Sequence, residues 1–108
     1  MNWFRQDDQG RFIWPGFGEN LRVLQWILAR CQEKGQAVES PIGLLPAPGA
    51  LDLNGVEVSD GNMRELLTVA PDDWRKEAEN VGEFFAKFGG RLPGEMARQR
   101  EALARRVG

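Results

Sequence analysis

Trp74, Ala78, Val81, Phe85 and Phe88 recur at intervals of 4, 3, 4 and 3 residues, the spacing of one face of an α-helix. Pro71 suits the first turn of that helix, Asp72 and Asp73 sit at the positive end of its dipole, and Gly89-Gly90 closes it. An amphipathic helix of this kind needs a second apolar surface to cover it. Leu21, Leu24, Ile27, Leu28 and Cys31 form another stripe at helical spacing, widened by Val23 and Trp26. The spacing predicts a helix there, buried on more than one side and ended by Gly35 as a positive-φ cap. Met63, Leu66 and Leu67 mark a short third helix that Asp60 or Asn62 can cap. Pro93 opens a fourth, with a thin apolar side of Met96, Ala97, Leu103 and Val107.

Between these segments the chain cannot be helical. Residues 37–56 hold Pro41, Pro46, Pro48 and three glycines, leaving room for a short strand at Ile42–Leu45. At the front, residues 2–5 and 11–14 read as two extended pieces around a turn in which Gly10 takes a positive-φ position. The expected fold is mainly α with a small β element at the N-terminal end, an α+β arrangement of about four helices.

A length of 108 residues suits one domain with a modest core, burying roughly 65% of the surface the unfolded chain exposes. Hydrophobic residues at 42% and charged residues at 28% are those of an ordinary globular chain, not a disordered one. A net charge of −2 gives no overall attraction to nucleic acid or to an anionic membrane. No apolar run reaches the ~20 residues of a membrane span, and Cys31 stands alone, so the cytoplasm is the expected compartment. The absence of histidine excludes histidine-dependent triads and, with one cysteine, most transition-metal sites. Residues 52–83 carry nine acids and three bases, whereas residues 84–108 carry six bases and two acids. Helices of opposite charge account for this, and Arg105 and Arg106 suit a helix C-terminus.

Phosphate-binding loops of the G-x-x-x-x-G-K-[ST] and G-x-G-x-x-G types are absent. Asp7-Asp8 and Asp72-Asp73 read as turn and helix-start residues, and no nucleophile has a base beside it, so no catalytic residue is assigned. The front of the chain is more informative. FIWPGFGEN, residues 12–20, packs aromatics and glycines into a run too interrupted for a strand and too apolar for an idle loop. Aromatic faces stack on planar bases, and glycines beside Phe17 let backbone approach a ligand. Asn20 offers both a donor and an acceptor to a purine edge. The plainer reading makes the aromatics core, the glycines turn residues and Asn20 the N-cap of the following helix.

The run NWFR at 2–5, Gly10, then FIWPGFGEN and Arg22-Val23-Leu24 closely resembles GTP-dependent phosphoenolpyruvate carboxykinase, specifically its C-terminal portion. Pro41-Ile42-Gly43, the stretch at 50–53, the helices at Met63 and Trp74, and Leu92-Pro93 follow in the same order. The resemblance thus extends over residues 1–108 as a single C-terminal fragment: a guanine-binding segment at 1–20 and a helical remainder at 21–108. It implies an enzyme of gluconeogenesis that converts oxaloacetate and GTP to phosphoenolpyruvate, carbon dioxide and GDP with manganese or magnesium. It further implies that Phe4 and Phe17 sandwich the guanine, Phe12 closes its edge, Asn20 hydrogen-bonds it, and the Phe17-Gly18-Glu19-Asn20 backbone lines the wall. The family's phosphate loop with its reactive cysteine, its metal-binding histidine, lysine and aspartate, and its oxaloacetate-binding arginines lie upstream of the matching region. Cys31 is not the loop cysteine, and Leu21 replaces the family's usual serine. This chain is therefore expected to contribute a base pocket without metal ligands or chemistry. Its expected partners are a guanine nucleotide and the remainder of the carboxykinase, with self-association of the isolated piece. The alternative is a stand-alone helical module binding a protein through exposed aromatics.

Overall fold

The computed structural model describes residues 2–108. Its elements run α1 (Asn20–Cys31), β1 (Ala37–Ser40), β2 (Gly43–Pro46), α2 (Asp60–Leu67), α3 (Pro71–Ala86) and α4 (Gly94–Val107), with short 3-10 turns at Phe17–Glu19 and Gly89–Arg91. The α+β class with four helices holds. The two-stranded sheet, however, is the β1-β2 hairpin. Among the described residues at the N-terminal end, β structure amounts to one antiparallel bridge, Gln6 to Phe12. The chain divides into two compact units, residues 1–39 with 44–68, and residues 40–43 with 69–108.

In the first unit, Ile13, Trp14 and Val23 are buried. The stripe expected to be core on α1 is not: Leu21, Leu24, Ile27 and Leu28 are 42 to 63% exposed. Periodicity reports that a helix is two-faced, but the face used here is the other one. Val23 is buried on it, and the Trp26 indole donates to the Gln36 carbonyl at 2.9 Å. Arg22 reaches from the same helix to the Asp52 carbonyl at 2.8 Å. The end of α1 also differs from expectation. Glu33, at φ +58, takes the left-handed position two residues before Gly35. Lys34 N–H donates to the Ala29 carbonyl and Glu33 N–H to Arg30, the paired bonds of a Schellman ending. At α2 the cap is Ser59, whose hydroxyl accepts from Asn62 N–H at 3.1 Å, rather than Asp60 or Asn62.

In the second unit α3 and α4 pack together. Ala78 and Val107 are buried and Trp74, Val81 and Phe85 half-buried, so the stripe read from sequence faces inward until Phe88, which lies beyond the helix end and is exposed. Gly82 is the close-approach point. A Cβ there would stand 2.5 Å from the Arg100 guanidinium, whose Nε donates to the Ala78 carbonyl at 2.8 Å. Arg75 Nη1 donates to the Val107 carbonyl, occupying an otherwise unpaired acceptor at the end of α4. Arg106 donates to the Pro41 carbonyl at 2.7 Å.

Candidate functional site

The front segment is organised by one carboxylate. Asp7 Oδ1 accepts from the backbone N–H groups of Gln9 and Arg11, and its Oδ2 accepts from Arg11 Nε at 3.0 Å. The Arg11 backbone N–H, foremost, holds the Asp7 carboxyl below its usual range despite some desolvation, with Gln9 N–H and the Arg11 side chain adding to the effect. Gly10 closes the turn at φ +76. Asp7 N–H then donates to the Arg11 carbonyl and Ile13 N–H to the Arg5 carbonyl, both at 2.9 Å. This register sends Ile13 and Trp14 inward and leaves Phe4 and Phe12 outside, their rings 6.1 Å apart and edge to face. Trp3 lies 6.4 Å from Trp14. Arg5 ties the segment to α2 through Glu65, at 2.5 Å.

Past Trp14-Pro15 the chain turns sharply. Gly16 has φ +125 and ψ −175, a conformation essentially reserved for glycine. Its carbonyl accepts from Glu19 N–H at 3.1 Å and starts the 3-10 turn that leads into α1. Phe17 emerges from this turn 92% exposed and pairs with no other aromatic ring among the described residues. Gly18 has neither a positive φ nor any atom within 4 Å of where a Cβ would stand. Neither backbone nor packing within the chain therefore demands glycine at that position.

Glu19, not Asn20, occupies the N-cap position of α1, and no side chain caps it. The Glu19 carboxylate pairs with Arg22 at 2.5 Å, three residues on along α1. Asn20 lies in the first turn, and its Oδ1 accepts from the Trp14 indole Nε1 at 2.8 Å. The capping reading of Asn20 is thereby replaced by a side-chain contact to a residue six positions earlier. Nothing in the local sequence pattern announces this bond, because it depends on the path through Gly16.

Elsewhere, a cavity of about 260 Å³ lies between α3 and α4, bordered by Gly82, Phe85, Leu92 and Arg100. Its one cation is already held by the Ala78 carbonyl. Among the described residues no three carboxylates or thiolates gather as metal ligands, and no helix is long and apolar enough to cross a membrane.

Residues 1–106 match the family model described as the phosphoenolpyruvate carboxykinase C-terminal P-loop domain. The chain belongs to the GTP-dependent phosphoenolpyruvate carboxykinase family. It is 44% identical over 108 residues to the GTP-dependent carboxykinase of Renibacterium salmoninarum, covering 100% of this chain and 18% of that protein. Identity is 47% over 108 residues with the enzyme of Neocallimastix frontalis, covering 99% and 18%. With the cytosolic enzyme of Gallus gallus it is 44% over 108 residues, covering 99% and 17%. The chain thus spans under a fifth of the length of the carboxykinases it matches. Although the matching domain is named for a P-loop, these 108 residues contain no G-x-x-x-x-G-K-[ST] sequence.

Proposed function

We propose that this chain supplies the guanine-holding wall of a GTP-dependent carboxykinase that forms phosphoenolpyruvate, carbon dioxide and GDP from oxaloacetate and GTP. The observation that carries this reading is the exposure of three phenylalanines between residues 4 and 17, next to an asparagine anchored at the start of α1. Phe4, Phe12 and Phe17 are all solvent-exposed, and an asparagine held by a buried indole opens α1 directly after Phe17-Gly18-Glu19. Exposing three phenylalanines to water is unfavourable, and a partner that covers their faces relieves that cost. A purine satisfies the rings by stacking and the carboxamide by hydrogen bonding. Gly18, unconstrained by its own chain, leaves space for a base to approach the backbone. Manganese or magnesium would belong to the complete reaction. The residues described here do not fit a metal centre, so none of their roles involves one.

The test is an NMR titration of the 108-residue chain with GDP, following backbone and side-chain amides. Saturable shifts at Phe4, Phe12, Phe17, Gly18 and Asn20, stronger than those with ADP, are expected. Shifts confined to other residues, or equal for the two nucleotides, would remove the base-holding assignment.

A further inference from the structure

We infer that Trp14 sets which end of the Asn20 carboxamide faces the ligand, and so sets the choice of guanine over adenine. The inference rests on the base-holding reading above and adds a residue to it that does not itself touch the base. Trp14 is 3% exposed, and its Nε1 donates to Asn20 Oδ1 at 2.8 Å. An indole nitrogen donates and never accepts, whereas a carboxamide has a donor end and an acceptor end of nearly equal size. Only one orientation of Asn20 satisfies Trp14. The other sets N–H against N–H at a buried group, which costs the full desolvation of an unpaired donor. In the observed orientation Asn20 Nδ2 donates to no group among the described residues and is not buried, so its hydrogens face a ligand rather than the protein interior.

The two purines distinguish these orientations. Guanine presents the O6 acceptor beside the N1–H donor, and adenine presents the N6 amino donor beside the N1 acceptor. An outward amino group, with the second lone pair of Oδ1 alongside it, complements guanine. The same asparagine turned over would complement adenine equally well. Asn20 alone therefore carries no preference between the two. The preference comes from the donor-only partner behind it, held in place by burial and by its neighbour Trp3 at 6.4 Å.

The experiment removes the indole N–H while keeping the ring. Position 14 is changed to β-(3-benzothienyl)alanine, which replaces N–H by sulfur, and separately to phenylalanine; each variant is titrated with GDP and ADP by NMR. Both nucleotides share the diphosphate, so the ratio of their dissociation constants isolates the base. The GDP-over-ADP preference is expected to fall roughly five- to tenfold in the benzothienyl variant, the effect of one lost orienting hydrogen bond. Amide dispersion should remain that of the folded chain. A merely structural role for Trp14 would weaken both nucleotides together and leave the ratio unchanged. Asn20→Asp serves as the control. If Asn20→Asp abolishes the preference and the benzothienyl variant retains it, the positioning role of Trp14 is wrong and the base-holding reading stands. If the parent chain shows no preference for GDP, the base-holding reading fails and this inference fails with it.

Discussion

Phe17 and Asn20 stand three residues apart and answer to different physics, so substitutions separate them. Phe17 has no ring partner and is almost wholly exposed, so Phe17→Ala should cost the fold little. It should weaken GDP and ADP alike by roughly 1–3 kcal/mol, because stacking does not depend on the base edge. Asn20→Asp keeps an oxygen for the Trp14 indole and adds a negative charge at the positive end of α1, so stability should barely change. Its second oxygen would then face O6, acceptor against acceptor. The guanine preference should drop by about ten- to a hundredfold, the discrimination of a two-point contact. Titration of both variants with both nucleotides checks the pair. Equal losses for the two nucleotides in Asn20→Asp would show that the carboxamide does not read the base edge.

Element by element, the structure rests on local choices of unequal visibility. The Asp7 turn holds Phe12 beside Phe4 through the single bridge at Gln6, and the Asp7 carboxyl lies below its usual range chiefly through the Arg11 backbone N–H. A carboxylate depressed on folding contributes its stabilisation above its unfolded pKa and loses it as pH falls through the folded value. Protection of the Asp7 and Ile13 amides from hydrogen exchange should therefore persist through mild acid and collapse below the usual aspartate range. In Asp7→Ala it should be weak at every pH; unchanged protection there would assign the turn to other contacts. At the end of α1, Glu33 holds φ +58 where glycine pays no steric penalty. Glu33→Gly should raise stability by about 0.5–1 kcal/mol in chemical denaturation, and a loss would mean the Glu33 side chain contributes more than its strain. The inward face of α3 was legible in the sequence because its packing follows the helical repeat through Phe85. The buried side of α1 was not, since two apolar faces compete on it and periodicity cannot say which finds a partner. The phenylalanines and Asn20 could be picked out as a group, but the Trp14 bond crosses a turn whose course is set by the positive φ of Gly16. Residue order alone does not encode that course.

At the scale of the whole molecule, the 108 residues lack histidine and a phosphate loop, while the carboxykinases they match are more than five times as long. The isolated chain should form no GDP from GTP and oxaloacetate above a no-protein control in a coupled assay with manganese. Detectable turnover would mean that these residues hold more of the reaction than a base. The same disparity in length bears on α1. Its exposed Leu21, Leu24, Ile27 and Leu28 fall at helical spacing and present a continuous apolar stripe. In water such a stripe favours any contact that buries it. In the isolated chain the available contact is a second copy, so sedimentation should show concentration-dependent association at micromolar levels. Replacing Leu24 and Leu28 by glutamate places charge on the stripe without touching buried Val23. It should therefore yield a monomer with undiminished helical signal. A parent chain that stays monomeric at high micromolar concentration would overturn this expectation. If instead the glutamate variant unfolds, the stripe supports the fold of the monomer itself, and the packing that does so is not the one α1 makes through Val23 and Trp26.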